Sequence, residues 1–570
     1  MVFNFCGRLA VIFLSALIIL SCGTTSQTQE NGNDTDNPAP PPIGVQATGS
    51  LAEEIRHLTE TGILSSMLQA LELIRSRDLS GVEFGRMMTG INILLIRLVY
   101  PDSPARLPSI DLPQTSNYTR IIREAERGTY VRPAADSADF FEHILPFLAV
   151  NEQTSPEILQ NVLRDLEKAK TLRVNSILPP YFQGIIHERL GRFNEAETAY
   201  MQAYEISSEC YPAQIGIARV KRLSGNIREA VSLFSELVIR YPDSIEIRRQ
   251  LAISYFENRD WQRALSAVDE ILRTEPRNGD FLLMKASIHI EQGQFSQANA
   301  ALDIYASINS NNRSYLFMRA RVQAEGNRNR DSALNYLRSI LRTHPDDVET
   351  MVYAANLLME SQRPADQNEG RELLERLRQI AGSSVDVMSL SLRDAVRRES
   401  WQEAQGFLNR VLAARRTAQD LTDAYYVERG LGNNSRALTY ARELYDRDNS
   451  NNDYTFIFIS ALIDNGRRDE ASRLIESRLN SAPSGTVKSR YFFLRSRLQT
   501  NQETALGDLR SSIFEDPRNL DALIASFLIH HNRREERRAV HYLRQALIIS
   551  PDHPQLRRYE REYAGLLGRN

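Results

Sequence analysis

The amino-acid sequence predicts an all-α protein in which one pair of helices is repeated along most of the chain. Glycines that stand between amphipathic segments recur at one spacing: Gly191 and Gly225 are 34 residues apart, as are Gly432 and Gly466. Prolines that follow the second segment of a pair repeat the same figure. They are Pro242 and Pro276, and then Pro483, Pro517 and Pro551. One period shared by two residue types indicates a helical repeat array.

A small residue, five positions after each turn, is the third recurring feature. Where two helices cross closely there is room only for a small side chain, so we expect these residues at the crossing point of each pair. The glycine, or a polar residue in its place, would make the tight turn, and the proline would end the second helix. The small residues are Ala196, Ala230, Ala264, Ala298, Ala437 and Ala471.

These positions resemble the tetratricopeptide repeat (TPR). One copy contains Ala252, Tyr255, Asp260, Trp261, Ala264 and Pro276. Another contains Gly184, Gly191, Phe193, Ala196, Tyr200 and Ala203. The last contains Ala539, Leu543, Ala546, Leu547 and Pro551. The resemblance implies a right-handed solenoid of about eleven to twelve helix-turn-helix repeats.

The array is predicted over residues 137–552, with an N-terminal helical region over 51–136 and a capping helix within 553–570. A weaker copy at the start carries Leu166 and Ala169. Two departures from the period are visible: one residue is inserted around 326–330, and 361–370 is expected to form an enlarged turn.

The first residues are interpreted as an export signal, residues 1–21. The apolar run over 9–20 is interrupted only by Ser15. At 1.5 Å per residue it extends about 18 Å, too short for a hydrocarbon core of about 30 Å. It leads to Leu20, Ser21, Cys22 and Gly23, which resembles the bacterial lipobox, and that resemblance implies lipidation of Cys22, in the manner of palmitate-bearing lipoproteins. The alternative is an ordinary secretory signal with an incidental cysteine.

Residues 22–50 are predicted to form a disordered tether, because the segment after Cys22 is rich in polar residues and proline and contains no aromatic or basic side chain. Together these features predict a membrane-anchored lipoprotein of the bacterial cell envelope that faces the periplasm. Gly23 is not acidic, which favours the outer membrane over the inner one.

Composition and motifs argue against catalysis. The 69 basic residues nearly balance the 72 acidic ones, so net charge attracts no nucleic acid. The three cysteines fit no zinc site, and no phosphate-binding loop or nucleophile motif is present. His530 and His531 are interpreted as packing residues rather than metal ligands. We therefore predict no enzyme activity, no cofactor, no metal and no nucleic-acid partner.

The TPR resemblance implies a groove, lined by the first helix of each repeat, that binds proteins or peptides. The alternative for each residue is packing against the next repeat. The implied groove residues are Tyr181, Phe182, Arg219, Arg222, Arg249, Gln250, Leu283, Met284, Phe317, Met318 and Arg321. They mix apolar, aromatic and arginine side chains, as binding hot spots do. Reversing Arg219, Arg222 and Arg249 to glutamate is expected to abolish partner capture while the helix content stays intact.

The functional hypothesis is a lipid-anchored envelope scaffold, similar to the TPR lipoproteins of outer-membrane assembly and cell-wall enzyme recruitment. Its partners would be envelope proteins or peptides, and the N-terminal lipid would hold it to the membrane. The alternative is an enzyme-associated or ligand-binding envelope protein whose N-terminal helical region carries the activity.

Overall fold

The computed structural model describes residues 49–103, 105–134, 136–361, 363–483, 485–551 and 553–567. These residues form thirty α-helices, with one short 3₁₀ and one short π segment, and no β-strand occurs among them. The predicted signal, Cys22 and the tether up to residue 48 lie outside these ranges. Within them, no helix is both long and apolar enough to cross a bilayer. The chain divides into two compact units, 1–328 and 329–570.

The first unit begins with a helical region in which α1 starts at Gly49. Its helices are α1 (Gly49–Thr61), α2 (Leu64–Ser76), α3 (Glu83–Val99), α4 (Asn117–Glu126), α5 (Phe140–Ile144), the 3₁₀ segment Leu145–Ala149, and α6 (Pro156–Leu172). The proline-rich stretch between α3 and α4 is not helical, as expected from the sequence.

This N-terminal region is built onto the first repeats rather than tethered to them. The amide of Ile177 donates to the carbonyl of Thr61 (2.9 Å), and the Tyr100 and Tyr211 rings pack with centroids 5.7 Å apart. Asp102 accepts a hydrogen bond from Ser244 Oγ (2.5 Å) at the start of a later repeat. A single hydrophobic cluster spans both parts, so the N-terminal helices cover the open end of the array.

The repeats of the first unit are antiparallel pairs of a first helix, here called the A helix, and a second, the B helix. The pairs are α7 (Leu178–Arg189) with α8 (Phe193–Ile206), α9 (Tyr211–Leu223) with α10 (Ile227–Arg240), α11 (Ile245–Glu257) with α12 (Trp261–Thr274), and α13 (Gly279–Glu291) with α14 (Phe295–Asn309). The unit ends with the A helix α15 (Arg313–Arg321) and the π segment Val322–Gly326.

The π segment accounts for the inserted residue. In a π turn the amide of residue i bonds to the carbonyl of residue i−5, and here the amide of Asn327 donates to the carbonyl of Val322 (3.1 Å). The wider turn absorbs one residue without breaking the helix, so the period resumes afterwards.

The second unit continues the same plan. It begins with the B helix α16 (Arg330–Thr343). The pairs that follow are α17 (Val348–Met359) with α18 (Pro364–Ala381), α19 (Val385–Arg397) with α20 (Trp401–Ala414), α21 (Ala418–Gly430) with α22 (Asn434–Arg447), α23 (Asn452–Asp464) with α24 (Arg468–Leu479), α25 (Thr486–Ser496) with α26 (Gln502–Glu515), and α27 (Leu520–Asn532) with α28 (Glu536–Ile549). The end is covered by α29 (Pro554–Glu562) and α30 (Ala564–Leu567).

The enlarged turn predicted over 361–370 is wrong for most of its length. Helix α18 already begins at Pro364, in the first turn, where its fixed φ favours helix and its missing amide costs nothing. Gly370 lies inside that helix, against Met359, where an added Cβ would come within 2.7 Å of Cγ. The proline and glycine that suggested a loop are therefore a helix start and a close contact between helices.

The turn and crossing residues follow the sequence prediction. Gly191 and Gly225 have φ of 69° and 90°, a region open to glycine at little cost. In copies without glycine a polar residue takes this conformation, as Arg259 does with φ of 58°. All six recurring alanines are buried. The predicted all-α repeat architecture is confirmed.

Candidate partner-binding site

The six apolar residues predicted to line the groove of the first unit are buried in its core. Phe182 is stacked on Phe147 of the N-terminal region, with ring centroids 4.1 Å apart and planes 9° from parallel. Met284 and Met318 lie in the hydrophobic clusters that join neighbouring repeats. The full set is Tyr181, Phe182, Leu283, Met284, Phe317 and Met318. Packing is thus the observed role of these side chains, and partner binding by them stays a prediction.

The four predicted arginines are held by glutamates of neighbouring repeats. Arg219 makes a two-pronged contact with Glu188, Nε to Oε1 at 2.6 Å and Nη2 to Oε2 at 2.8 Å, and also donates to the Tyr200 hydroxyl (3.2 Å). Burial opposes the charge on Arg219, but Glu188 and Tyr200 outweigh it and raise its pKa. The remaining pairs are Arg222–Glu257 at 2.7 Å, Arg249–Glu275 at 2.5 Å and Arg321–Glu291 at 2.8 Å.

Gln250, the last predicted residue, donates from Nε2 to Glu246 Oε1 (2.9 Å) on the same helix. Glu246 also receives the neighbourhood of Asp102, whose Oδ2 accepts from its backbone amide (3.4 Å). Burial raises the pKa of Glu246. On this unit, the predicted binding residues therefore act as clamps between repeats.

A cavity that the sequence did not single out lies on the A helices of the second unit. It measures about 330 Å³ and opens between α21, α23, α25 and α27. Pockets that hold small ligands or side chains have about this volume or more. The lining residues are Tyr425, Tyr426, Arg429, Phe456, Ile457, Ser460, Arg490, Phe493, Leu494, Arg497 and Asp521.

Aromatic rings form one part of this cavity. Phe456 is buried and packs against Tyr491, with centroids 4.7 Å apart. Tyr425 is buried, whereas the adjacent Tyr426 leaves 40% of its surface exposed. Their rings meet edge to face at 5.0 Å. Partial burial raises the pKa of the Tyr426 hydroxyl, so it is a neutral donor at physiological pH.

Guanidinium groups form the other part. The Arg490 guanidinium lies 4.0 Å from the centroid of Phe456 and pairs with Asp453 at 2.6 Å. Two further arginines share one carboxylate: Arg429 Nε donates to Asp464 Oδ2 (2.8 Å) and Arg497 Nη2 to Oδ1 (2.6 Å). The cavity thus combines an apolar floor with a surplus of hydrogen-bond donors.

The repeat period is the signal that could have located this cavity. Arg429 and Arg497 are separated by two periods of 34 residues, and Phe456 and Arg490 by one. Mapping the groove positions beyond Arg321 would have brought them together.

Next to the cavity, a buried polar group lies on α21. Asp423 is 4% exposed, and Gln419 Nε2 donates to its Oδ1 (3.1 Å). Among the described residues, Oδ2 meets no hydrogen-bond donor. Burial raises the pKa of Asp423 to about 7, against the opposing effect of Arg393 on α19.

The histidines near the C-terminus pack as the sequence analysis proposed. The His530 ring is stacked on Tyr542 with planes 4° apart, and its Nδ1 lies 2.7 Å from Glu535 Oε2. His531 Nδ1 lies 2.7 Å from the Tyr563 hydroxyl of the terminal cap. Within the described ranges, no group of three or more acidic, histidine or cysteine side chains is arranged to hold a metal.

The single cysteine in the described ranges, Cys210, is buried at the joint between the N-terminal region and the repeats. Burial raises the pKa of its thiol to about 12. It therefore remains a protonated packing group rather than a reactive nucleophile.

Family models named "Tetratricopeptide repeat" match the chain over residues 181–210, 255–321 and 314–347. The chain thus carries tetratricopeptide repeats, as the sequence analysis proposed, and its architecture is that of a protein-interaction scaffold. No curated protein gives a significant match.

Several solved structures resemble parts of the fold. A tetratricopeptide repeat protein from Parabacteroides merdae is 13% identical, with 45% of this chain and 98% of that chain covered and a TM-score of 0.39. The Pseudomonas aeruginosa protein pilF is 17% identical, with 35% and 90% covered and a TM-score of 0.31. The APC/C assembly Cut9–Hcn1 contributes a chain 12% identical, with 92% and 96% covered and a TM-score of 0.44.

Proposed function

We propose that this chain is a lipid-anchored scaffold of the bacterial cell envelope that binds proteins or peptides through the A helices of its second unit. The observation that carries the binding half of the proposal is the cavity between α21 and α27. It leaves an aromatic ring, Tyr426, 40% exposed beside three arginines. Aromatic and arginine side chains in a desolvated hollow are the usual anchors of protein interfaces.

The anchoring half of the proposal rests on the sequence. Cys22 follows a short apolar run, and the 26 residues between it and Gly49 are mostly polar, small or proline. Such a segment can extend to at most roughly 90 Å. A lipid at Cys22 would therefore leave the repeat array free to reach partners at some distance from the membrane.

Replacing the lipid-bearing residue tests the anchor. The Cys22→Ser variant is expected to move from the detergent-extracted membrane fraction to the soluble fraction, or to accumulate with its signal uncleaved. The Cys210→Ser variant is the matched control, since that thiol is buried in the fold. A Cys22→Ser protein that fractionates as the wild type does would refute the anchor.

Site-specific photo-crosslinking in intact cells tests the binding surface. A photoreactive amino acid at Tyr426 or Ser460, both lining the cavity, should give discrete crosslinked products with envelope proteins. The same amino acid at Arg338, an exposed B-helix position, should give none of those products. Equal crosslinking at all three positions, or none at any of them, would argue against a binding face on the A helices.

A further inference from the structure

We propose that the cavity between α21 and α27 recognises a partner segment in which a single carboxylate lies next to an apolar side chain. This inference rests on the proposed protein-binding function and names the chemistry of the bound segment. It is carried by two features: arginines that share one carboxylate, and an aromatic floor with an exposed edge.

The carboxylate would be bound by the shared pair of arginines. Asp464 accepts one N–H from Arg429 and one from Arg497, whereas each guanidinium has five N–H groups. Two cations with one carboxylate between them leave one positive charge in excess. A carboxylate of the partner would neutralise it and accept charge-assisted hydrogen bonds, which are among the stronger polar contacts.

The apolar side chain would lie on the aromatic floor. Phe456 is buried beneath the Arg490 guanidinium, while the Tyr426 ring lies open at the edge. Ile457 and Leu494 complete this apolar lining. A volume of about 330 Å³ accommodates one large side chain and leaves little space for a second residue.

Acidic residues at the rim limit how much negative charge can be bound. Asp521 lines the cavity and is exposed, and Asp453 is the partner of Arg490. Further carboxylates or phosphates on the ligand would meet these groups and be repelled. The site is therefore suited to one carboxylate and not to a polyanion such as a nucleic acid.

Matched peptides test this chemistry on the purified full-length chain. The probe is fluorescein-labelled Ala-Ala-Ala-Phe with a free C-terminal carboxylate, and its comparisons are the same peptide with a C-terminal amide and the peptide ending in glycine. Fluorescence anisotropy is expected to show that the free acid binds about tenfold or more tightly than the amide, since hydrogen bonds to a charged group are lost in the amide. The glycine peptide should be similarly weakened because it lacks the ring.

Variants locate the effect. Arg429→Gln combined with Arg497→Gln should remove the preference for the acid over the amide, and Tyr426→Ala should weaken both peptides while it leaves that preference in place. Arg338→Gln, which removes an exposed ion-paired arginine outside the cavity, is the control and should bind as the wild type does. Circular dichroism confirms that each variant is folded.

Three results would overturn the inference: equal binding of acid and amide, equal binding of the phenylalanine and glycine peptides, or an equal loss in Arg338→Gln. Its failure is distinguishable from that of the proposed function. Crosslinks at Tyr426 that survive the double arginine change would retain the scaffold and reject the carboxylate. Absence of any crosslink would reject the binding face itself.

Discussion

The A helices of the two units use the same residue types for different purposes. In the first unit, Arg219 and Arg222 are held by glutamates of neighbouring repeats, and the aromatic and methionine side chains beside them are buried. In the second unit, Arg429 and Arg490 remain 43% exposed, and Tyr426 borders an open cavity. Arginines and aromatics on an A helix can therefore join repeats or receive a ligand.

Burial of the ion pair separates the two cases. The Arg222 side chain is 2% exposed and its partner Glu257 12% exposed, so loss of either charge leaves the other in a poorly hydrated place. An exposed pair contributes little net stability because water solvates both members when they separate. We infer that buried pairs in the first unit maintain the fold, whereas the arginines of the second unit can exchange their partners for a ligand.

The largest expected effect comes from charge reversal in the first unit. Arg222→Glu would bring a second carboxylate to Glu257 in a buried position and should cost about 3–5 kcal/mol. Arg429→Glu in the second unit should cost about 1 kcal/mol or less. Thermal unfolding followed by circular dichroism checks both. Similar losses in the two variants would contradict the comparison.

That result bears on the triple reversal of Arg219, Arg222 and Arg249 considered from the sequence alone. Their pairing with glutamates replaces the expectation of intact stability: we now expect the triple variant to lose helix content in the first unit. Loss of partner capture in such a variant would then report unfolding rather than a binding site.

A smaller effect is expected where helices approach most closely. A Cβ on Gly184 would come within 2.6 Å of the buried Tyr200 ring, and one on Gly216 within 2.7 Å of the opposite edge. Gly184→Ala and Gly216→Ala should each cost about 1–3 kcal/mol by overpacking.

The matched control lies in the second unit. An added Cβ on Gly406, in α20, meets no described atom within 4 Å, so Gly406→Ala should be neutral or stabilise by about 0.5–1 kcal/mol. Chemical denaturation of the three variants measures the difference. A loss in Gly406→Ala as large as that in Gly184→Ala would show that helix propensity, and not the contact with Tyr200, decides the outcome.

The smallest effect depends on pH and concerns Asp423 in the second unit. Burial raises its pKa to about 7 in the folded chain, above the usual value of about 3.9 for an unfolded aspartate. The folded state therefore binds this proton more tightly, and stability falls as pH rises from about 4 to about 7. Asp423→Asn removes that loss, so its melting temperature should exceed that of the wild type at pH 8 and match it near pH 4.

Asp453→Asn is the control for this prediction, since its side chain is 72% exposed and lies at the rim of the same cavity. It should shift the melting temperature little at either pH. An Asp423→Asn variant whose gain is the same at pH 4 and pH 8 would show that burial of the charge is not the cause.

Much of the fold could be predicted because the repeat imposes a local rule at each position. Gly191 must adopt positive φ, Ala264 must fit a helix crossing, and Pro276 follows a helix end, and each rule involves only neighbouring turns of one helix pair. The enlarged turn over 361–370 was mispredicted because Pro364 and Gly370 signal a loop locally. Only the contact of Gly370 with Met359 shows that they belong to a helix.

The candidate site was less predictable, because a groove position does not specify exposure. Tyr181 and Tyr426 are both tyrosines on A helices, yet Tyr181 lies against Tyr200 with ring centroids 5.9 Å apart, while Tyr426 remains open. Which of two such residues is covered depends on side chains that lie one or two repeats away. That information is dispersed over the chain and has no local pattern.

The sequence by itself determined the helical class, the 34-residue period, the turn and crossing residues and the case for a lipid at Cys22, since each depends on short stretches of chain. Only the tertiary structure decided that Arg219 and Arg222 join repeats and that Arg429, Arg490 and Arg497 surround a cavity. The physical reason is that an arginine's role depends on the distance to its nearest carboxylate and on its access to water. Both are set by the packing of successive repeats.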